Sequence, residues 1–408
     1  MLRGLLSLSG ANLVYAICQW IPVAILARLA APDDVALYTL ALSIPAPVLM
    51  FAQLNLRNVL ASDVRRNRLP FGVYRNLRFA AMALGIAMVA AAVLLQGRGG
   101  SANLAVVLGA AALGFEWIGD IYQGEFQRQD RIHHAAASVL LRGLLTVIAL
   151  VAGLSLGWGV SGALALTVAA RFAVWFLFER IHAPAHEPTP NGAWKTLLAT
   201  AWPLGLVMMI GSVSSNLPRY LAEAFIGHGA LAAFAVVWAL AALGNLVVNS
   251  IGQAAMTPLA RVAASGDAAG FARLAWMLAG GGLALGAIAV LCGQFLGAWT
   301  LGLLYGASYT QHQPLLVAVL GAAGFGYAAS LLGTVITAAR RFREQIPIQA
   351  MSLIAGVAAG CAAMPVLGVT GVAVALAAAN ATQLAGEVIV LRMALREMEA
   401  APEVVEHA

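Results

Sequence analysis

Apolar residues along this chain fall into long blocks parted by short charged breaks, and within the blocks they do not alternate with polar ones. The blocks lie at about 5–30, 35–60, 79–96, 103–124, 135–155, 160–178, 197–225, 231–256, 274–295, 314–338, 347–366 and 370–392. Each is close to the roughly 20 apolar residues a helix needs to cross a hydrocarbon core about 30 Å thick. A transmembrane β-barrel would instead repeat segments of about ten residues with one polar face. The blocks here are continuous and rich in Ala, Leu, Val and Gly. The pattern predicts an all-α polytopic membrane protein with about 12 transmembrane helices.

Composition agrees. The 408 residues are 62% hydrophobic and 10% charged, against about 45–50% and about 25% in soluble domains. So little charge cannot cover a soluble surface, which excludes a cytosolic enzyme, a secreted disulfide scaffold and a disordered chain. Cys18, Cys292 and Cys361 all fall inside apolar blocks, so no disulfide framework is expected. The first block contains Asn12, Gln19 and Pro22 and reaches Leu29. That is too long for a signal-peptide core, so it reads as a retained span.

With the N-terminus inside, the cytoplasmic breaks hold Arg65, Arg66, Arg68, Arg75, Arg78, Arg128, Arg131, Arg180, Lys195, Arg261, Arg273, Arg340, Arg341, Arg343, Arg392 and Arg396. The outer side keeps only Arg28, Arg98 and Arg219. Positive charge collects on cytoplasmic loops, so both termini are expected in the cytoplasm. The net charge of +6 is then mostly a topology signal, with no nucleic-acid partner implied.

The chain also repeats itself. Gly159-Val160-Ser161-Gly162 opens the sixth block and Gly368-Val369-Thr370-Gly371 opens the twelfth, about half the chain later. Arg128 and Arg131 after block four are echoed by Arg340 and Arg343 after block ten. Corresponding blocks run in the same direction, so the expectation is two parallel six-helix repeats in a two-lobed arrangement. An N-terminal lobe spans 1–180 and a C-terminal lobe 197–392, with a cytoplasmic linker at 181–196 and a cytoplasmic tail at 393–408. Such a repeat points to a transporter, which is not an enzyme and needs no cofactor.

Polar side chains inside a membrane are expensive and therefore informative. Asn12 and Gln19 are seven apart in span one; Gln53 and Arg57 are four apart in span two, with Asn55 nearby. Span seven carries Ser212, Asn216, Arg219 and Glu223, and span eight carries Asn245, Asn249 and Gln253 at intervals of four. Helical spacing puts each set on one face. The simplest geometry is a water-filled cavity lined by spans one, two, seven and eight. Amides with arginines suit an anionic, hydroxyl-rich solute such as a sugar on a phosphate, because the planar guanidinium pairs bidentately with phosphate oxygens. The competing account has Arg28 and Arg57 snorkelling to the interfaces and Arg219 pairing with Glu223.

A second cluster, Glu116, Asp120, Arg142 and Arg171, shares one depth near the cytoplasmic boundary and reads as an ion-paired lock or gate. Other signals carry no chemistry. His182 and His186 flank Pro184, which breaks the helix a metal site would need. Lys195 follows Trp194 where a phosphate loop requires glycine. Gly282/Gly286 and Gly293/Gly297 read as helix-packing pairs.

Five motifs, in order along nearly the whole chain, give a resemblance. They are Gln53-Leu54-Asn55-Leu56-Arg57 with Ala61-Ser62-Asp63; Asp120-Ile121-Tyr122-Gln123-Gly124-Glu125-Phe126-Gln127-Arg128 leading to Ser138 and Arg142-Gly143; and Pro203-Leu204-Gly205 followed by Asn216-Leu217-Pro218-Arg219-Tyr220. Leu303-Leu304-Tyr305-Gly306 with Tyr309, and Thr337-Ala338-Ala339-Arg340 with Phe342-Arg343, complete the set. The sequence resembles the polysaccharide flippases of the multidrug/oligosaccharidyl-lipid/polysaccharide exporter superfamily. The resemblance implies a twelve-helix flippase that moves polyprenyl-pyrophosphate-linked oligosaccharide, a surface polysaccharide precursor, to the outer leaflet by alternating access. Polysaccharide polymerase and glycosyltransferases would be its partners, beside the membrane lipids. It further implies that Arg57 and Arg219, which stand inside matching motifs, hold the pyrophosphate; Tyr220 stands beside Arg219, and Arg28 has no motif behind it. The alternatives are a cation-coupled multidrug exporter of the same superfamily and a membrane glycan polymerase or ligase.

Overall fold

The computed structural model describes residues 2–62, 69–95, 100–183, 192–339 and 341–400. Arg65, Arg66, Arg68, Arg98 and Arg340, Asp63, Pro184 and His186 in the expected linker, and the last part of the tail lie outside the described residues. The rest is helical, without strands among the described residues. The helices are α1 (Leu2–Leu29), α2 (Pro32–Ser43), α3 (Ala46–Ala52), α4 (Leu56–Ser62), α5 (Phe71–Leu95), α6 (Ser101–Arg128), α7 (Ile132–Ser155) and α8 (Gly159–Val174). There follow a π-turn (Trp175–Glu179), α9 (Arg180–His182), α10 (Ala193–Phe225), α11 (His228–Ala264), α12 (Ala268–Tyr305), α13 (Gln313–Ala338), α14 (Phe342–Leu367) and α15 (Gly371–Ala400).

Among the described residues ten stretches are long and apolar enough to cross a membrane; one of them, Arg343–Glu399, holds both α14 and α15, and Val14–Leu29 is a shorter apolar helix. The protein is thus an all-α polytopic membrane protein with about twelve passes. Large apolar side chains such as Leu95, Phe295, Trp299 and Val366 stand exposed on the helices, as acyl chains require and water does not allow. The chain divides into two compact units, Met1–Ser215 and Asn216–Ala408, with the division inside α10.

Local chemistry sets several helix ends. Pro32 opens α2 with Asp33 and Asp34 in its first turn, where a missing N–H and negative charge are both favoured. Asp267 caps α12, its carboxylate accepting from the Gly270 N–H at 2.8 Å. The sequence repeat is visible in the backbone. Gly159 and Gly368, at the heads of the repeated motif, are both left-handed, with φ +64° and +57°. After α6 the Arg131 N–H reaches the Phe126 carbonyl at 2.8 Å, and after α13 the Arg341 N–H reaches Ile336 at 3.1 Å. These six-to-one bonds end both helices in the same way.

The structure also revises the expected spans. Span two is three short helices, α2 to α4. The stretch between the ninth and tenth blocks is helical through Tyr305, with a 3₁₀ turn at Ala307–His312. The glycine pairs of α12 do pack: a Cβ on Gly286 would lie 2.3 Å from the Gly324 Cα, so α12 and α13 meet backbone to backbone there.

Candidate functional site

Span two breaks twice, near Pro45 and at Gln53–Asn55. At the second break Leu54 and Asn55 are left-handed, with φ +52° and +48°, a conformation that residues with side chains seldom adopt. The Asn58 amide donates to Asn55 Oδ1 at 2.8 Å across it. The break re-aims α4, and Arg57 on its first turn donates to Asp120 Oδ1 of α6 at 2.7 Å. Arg78 of α5 lies 3.9 Å from the other oxygen of Asp120. Gln53 is buried, its amide on the Met50 sulfur at 2.9 Å.

Helix α6 is the spine of the polar interior of the first unit. Arg171 of α8 pairs with Glu116 at 3.3 Å and donates to the Ala112 carbonyl at 2.7 Å. Glu116 also accepts from the Tyr15 hydroxyl of α1, which in turn accepts from Gln19. Arg142 of α7 grips Glu179 with both ends of its fork, Nε at 2.7 Å and Nη2 at 2.6 Å, and gives Nη1 to the Phe115 carbonyl. Ser138 donates to the same carboxylate and accepts from Gln123. Two glycines of α6 make room for the arginines. A Cβ on Gly119 would fall 1.9 Å from the Arg142 guanidinium carbon, and one on Gly124 would fall 3.0 Å from the Arg57 stem.

The expected four-residue cluster therefore separates. Arg171 takes Glu116, whereas Arg142 takes Glu179 and Asp120 takes Arg57. Glu179 and Arg78 escaped the sequence reading for one reason: blocks bounded at charged residues ended at 178 and began at 79. Each of these residues sits one position outside its block, where a charge reads as loop. Tyr15 gave no signal in an apolar run.

In the second unit Arg219 donates to Asn216 Oδ1 at 2.7 Å and lies over the Trp238 ring at 5.8 Å. Glu223 pairs with His228 at 3.0 Å rather than with Arg219. Tyr220 is half-buried beside Arg219, Asn249 is exposed on α11, and Arg28 is exposed in the last turn of α1. The side chains of Asn12 and Gln253 lie outside the described residues. Glu387 of α15, also missed, is buried and accepts from Gln383 at 3.0 Å.

A family model described as "Polysaccharide biosynthesis protein" matches residues 1–261. The chain is 24% identical over 349 residues to the capsular polysaccharide biosynthesis protein CapF of Staphylococcus aureus, covering 84% of this chain and 87% of that one. Among solved structures it superimposes on an inward-facing multidrug resistance MATE family transporter of the MOP superfamily with TM-score 0.73 at 15% identity, covering 95% and 96% of the two chains. The lipid II flippase MurJ, in its inward closed conformation, gives TM-score 0.74 at 11% identity, over 96% and 90%. Those two likenesses establish the exporter fold. The match over 1–261 establishes the lineage: the chain belongs to the polysaccharide biosynthesis protein family.

Proposed function

We propose that this protein is a flippase that carries a polyprenyl-pyrophosphate-linked oligosaccharide from the cytoplasmic to the outer leaflet of a bacterial inner membrane, by alternating access. The observation that carries this reading is a polysaccharide biosynthesis family match on a chain with an exporter fold. Arg57 in the first unit and Arg219 in the second are the cations assigned to the pyrophosphate. Both are only part-buried, and each is held by a neighbour that an anion is able to displace: Asp120 for Arg57 and Asn216 for Arg219. Gln19, Asn55, Asn216, Tyr220 and Asn249 are assigned to the sugar hydroxyls. The buried pair Arg142–Glu179 and the part-buried pair Arg171–Glu116 brace the first unit internally.

The test is export in a host that depends on this protein. Arg57→Ala and Arg219→Ala are each expected to reduce surface polysaccharide at unchanged protein level. Full export by both single variants removes their assigned role. A drug-susceptibility panel in a pump-deficient strain separates this reading from a multidrug exporter, which would raise resistance.

A further inference from the structure

Asp120 is shared unequally by two arginines. Arg57 reaches its Oδ1 at 2.7 Å and keeps 32% of its side chain exposed. Arg78 stops 3.9 Å from Oδ2, is 0% exposed, and among the described residues has no hydrogen-bond partner on Nε, Nη1 or Nη2. At 3.9 Å there is attraction but no hydrogen bond. A guanidinium carries five N–H donors, and burying them unsatisfied is costly. Arg78 is therefore a cation with an unmet demand, about 1 Å short of the carboxylate it faces among the described residues.

That demand has a use once Arg57 is called away. An anion arriving at the exposed face of Arg57 competes with Asp120 for the same fork. If Asp120 were then left alone, its loss of a partner would oppose binding. With Arg78 in place, a short approach replaces the broken pair and satisfies the orphaned donors. We propose that Arg78 is a positioning residue that takes Asp120 over from Arg57 whenever Arg57 binds a phosphate-bearing anion. One carboxylate thus alternates between two arginines, and the site gains an available positive charge without leaving a buried charge bare. This rests on the assignment of Arg57 to the pyrophosphate given above.

The experiment uses the full chain in detergent, with farnesyl pyrophosphate as probe and farnesol and inorganic pyrophosphate as controls for the lipid and the anion. Arg78→Gln is expected to weaken binding about tenfold, and Arg78→Lys to recover most of it. Asp120→Asn, which frees Arg57, is expected to tighten binding, and adding Arg78→Gln to Asp120→Asn is expected to change nothing further. An equal loss from Arg78→Gln in both backgrounds overturns the exchange. Because Asp120→Asn strips Arg78 of its anion and is at risk of misfolding, a second cycle needs neither that variant nor a ligand. Arg57→Gln should lower the melting temperature slightly when Arg78 is present and sharply when Arg78→Gln accompanies it. Additive melting shifts overturn the proposal while leaving the proposed function standing. No binding of the probe by the unmodified protein removes the phosphate site itself, and with it both readings.

Discussion

A guanidinium inside a lipid-solvated bundle has no water to fall back on, so its partners are part of its cost. Arg142 meets this with a bidentate carboxylate and a carbonyl, and Glu179 opposite is equally buried. Removing one partner of such a pair typically costs about 3–5 kcal/mol, because the other is left as an uncompensated buried charge. Glu179→Gln should lose that much, read as a lower unfolding midpoint in detergent. Gly119→Ala should lose a comparable amount, since its Cβ has no room beside the Arg142 guanidinium; an unchanged midpoint for both would refute the packing described. Glu387 predicts the opposite sign. Its Oε2 has no hydrogen-bond partner and no cation pairs with it among the described residues. Glu387→Gln should therefore match or exceed the native melting temperature, and a fall of several degrees would mean the carboxyl has a partner of its own.

Two departures from regular helix put the important side chains where they are. Arg171 and Glu179 lie on one segment, and the π-turn Trp175–Glu179 between them inserts extra backbone, a feature often found where a helix has functional demands. It turns Glu179 onto Ser138 and Arg142. Deleting one residue from 175–178 removes that extra backbone, and should cost about as much stability as Glu179→Gln if the turn is what aims the carboxylate. A deletion variant as stable as the parent would show that the turn does not aim the carboxylate. The second departure is the break at Leu54–Asn55. Asparagine tolerates the left-handed region better than most residues. Asn55→Gly should leave stability nearly unchanged, while Asn55→Val should cost about 1–2 kcal/mol and weaken the Arg57–Asp120 contact, measurable by thermal melts of the two variants side by side.

The two compact units share backbone features at the positions of the sequence repeat: left-handed Gly159 and Gly368, and the six-to-one closures after α6 and α13. Their polar interiors have diverged. The first is laced with ion pairs along α6; the second relies on isolated contacts such as Tyr327 to the Ala241 carbonyl and Asn380 to the Ala322 carbonyl. The arginine distribution along the chain predicts both ends in the cytoplasm. Fusing green fluorescent protein to the C-terminus should give fluorescent cells, and an alkaline phosphatase fusion at the same point should be inactive. The reverse pattern would invert the assigned topology.

The helical class, the approximate number of passes, the repeat and the family resemblance were legible in the order of residues because each depends on long runs. Twenty apolar positions in a row leave a helix in lipid as nearly the only way to satisfy the backbone. Charged residues near span ends were not legible in that way, since a charge at the edge of an apolar run looks the same whether it meets water or a buried counter-charge. Tertiary packing settled those cases. It drew Arg78 to Asp120, Glu179 to Arg142 and Tyr15 to Glu116, through a helix break and a π-turn that no apolar periodicity announces. Partner choice among buried charges is decided by ångström distances between helices far apart in the chain, and linear spacing does not contain them.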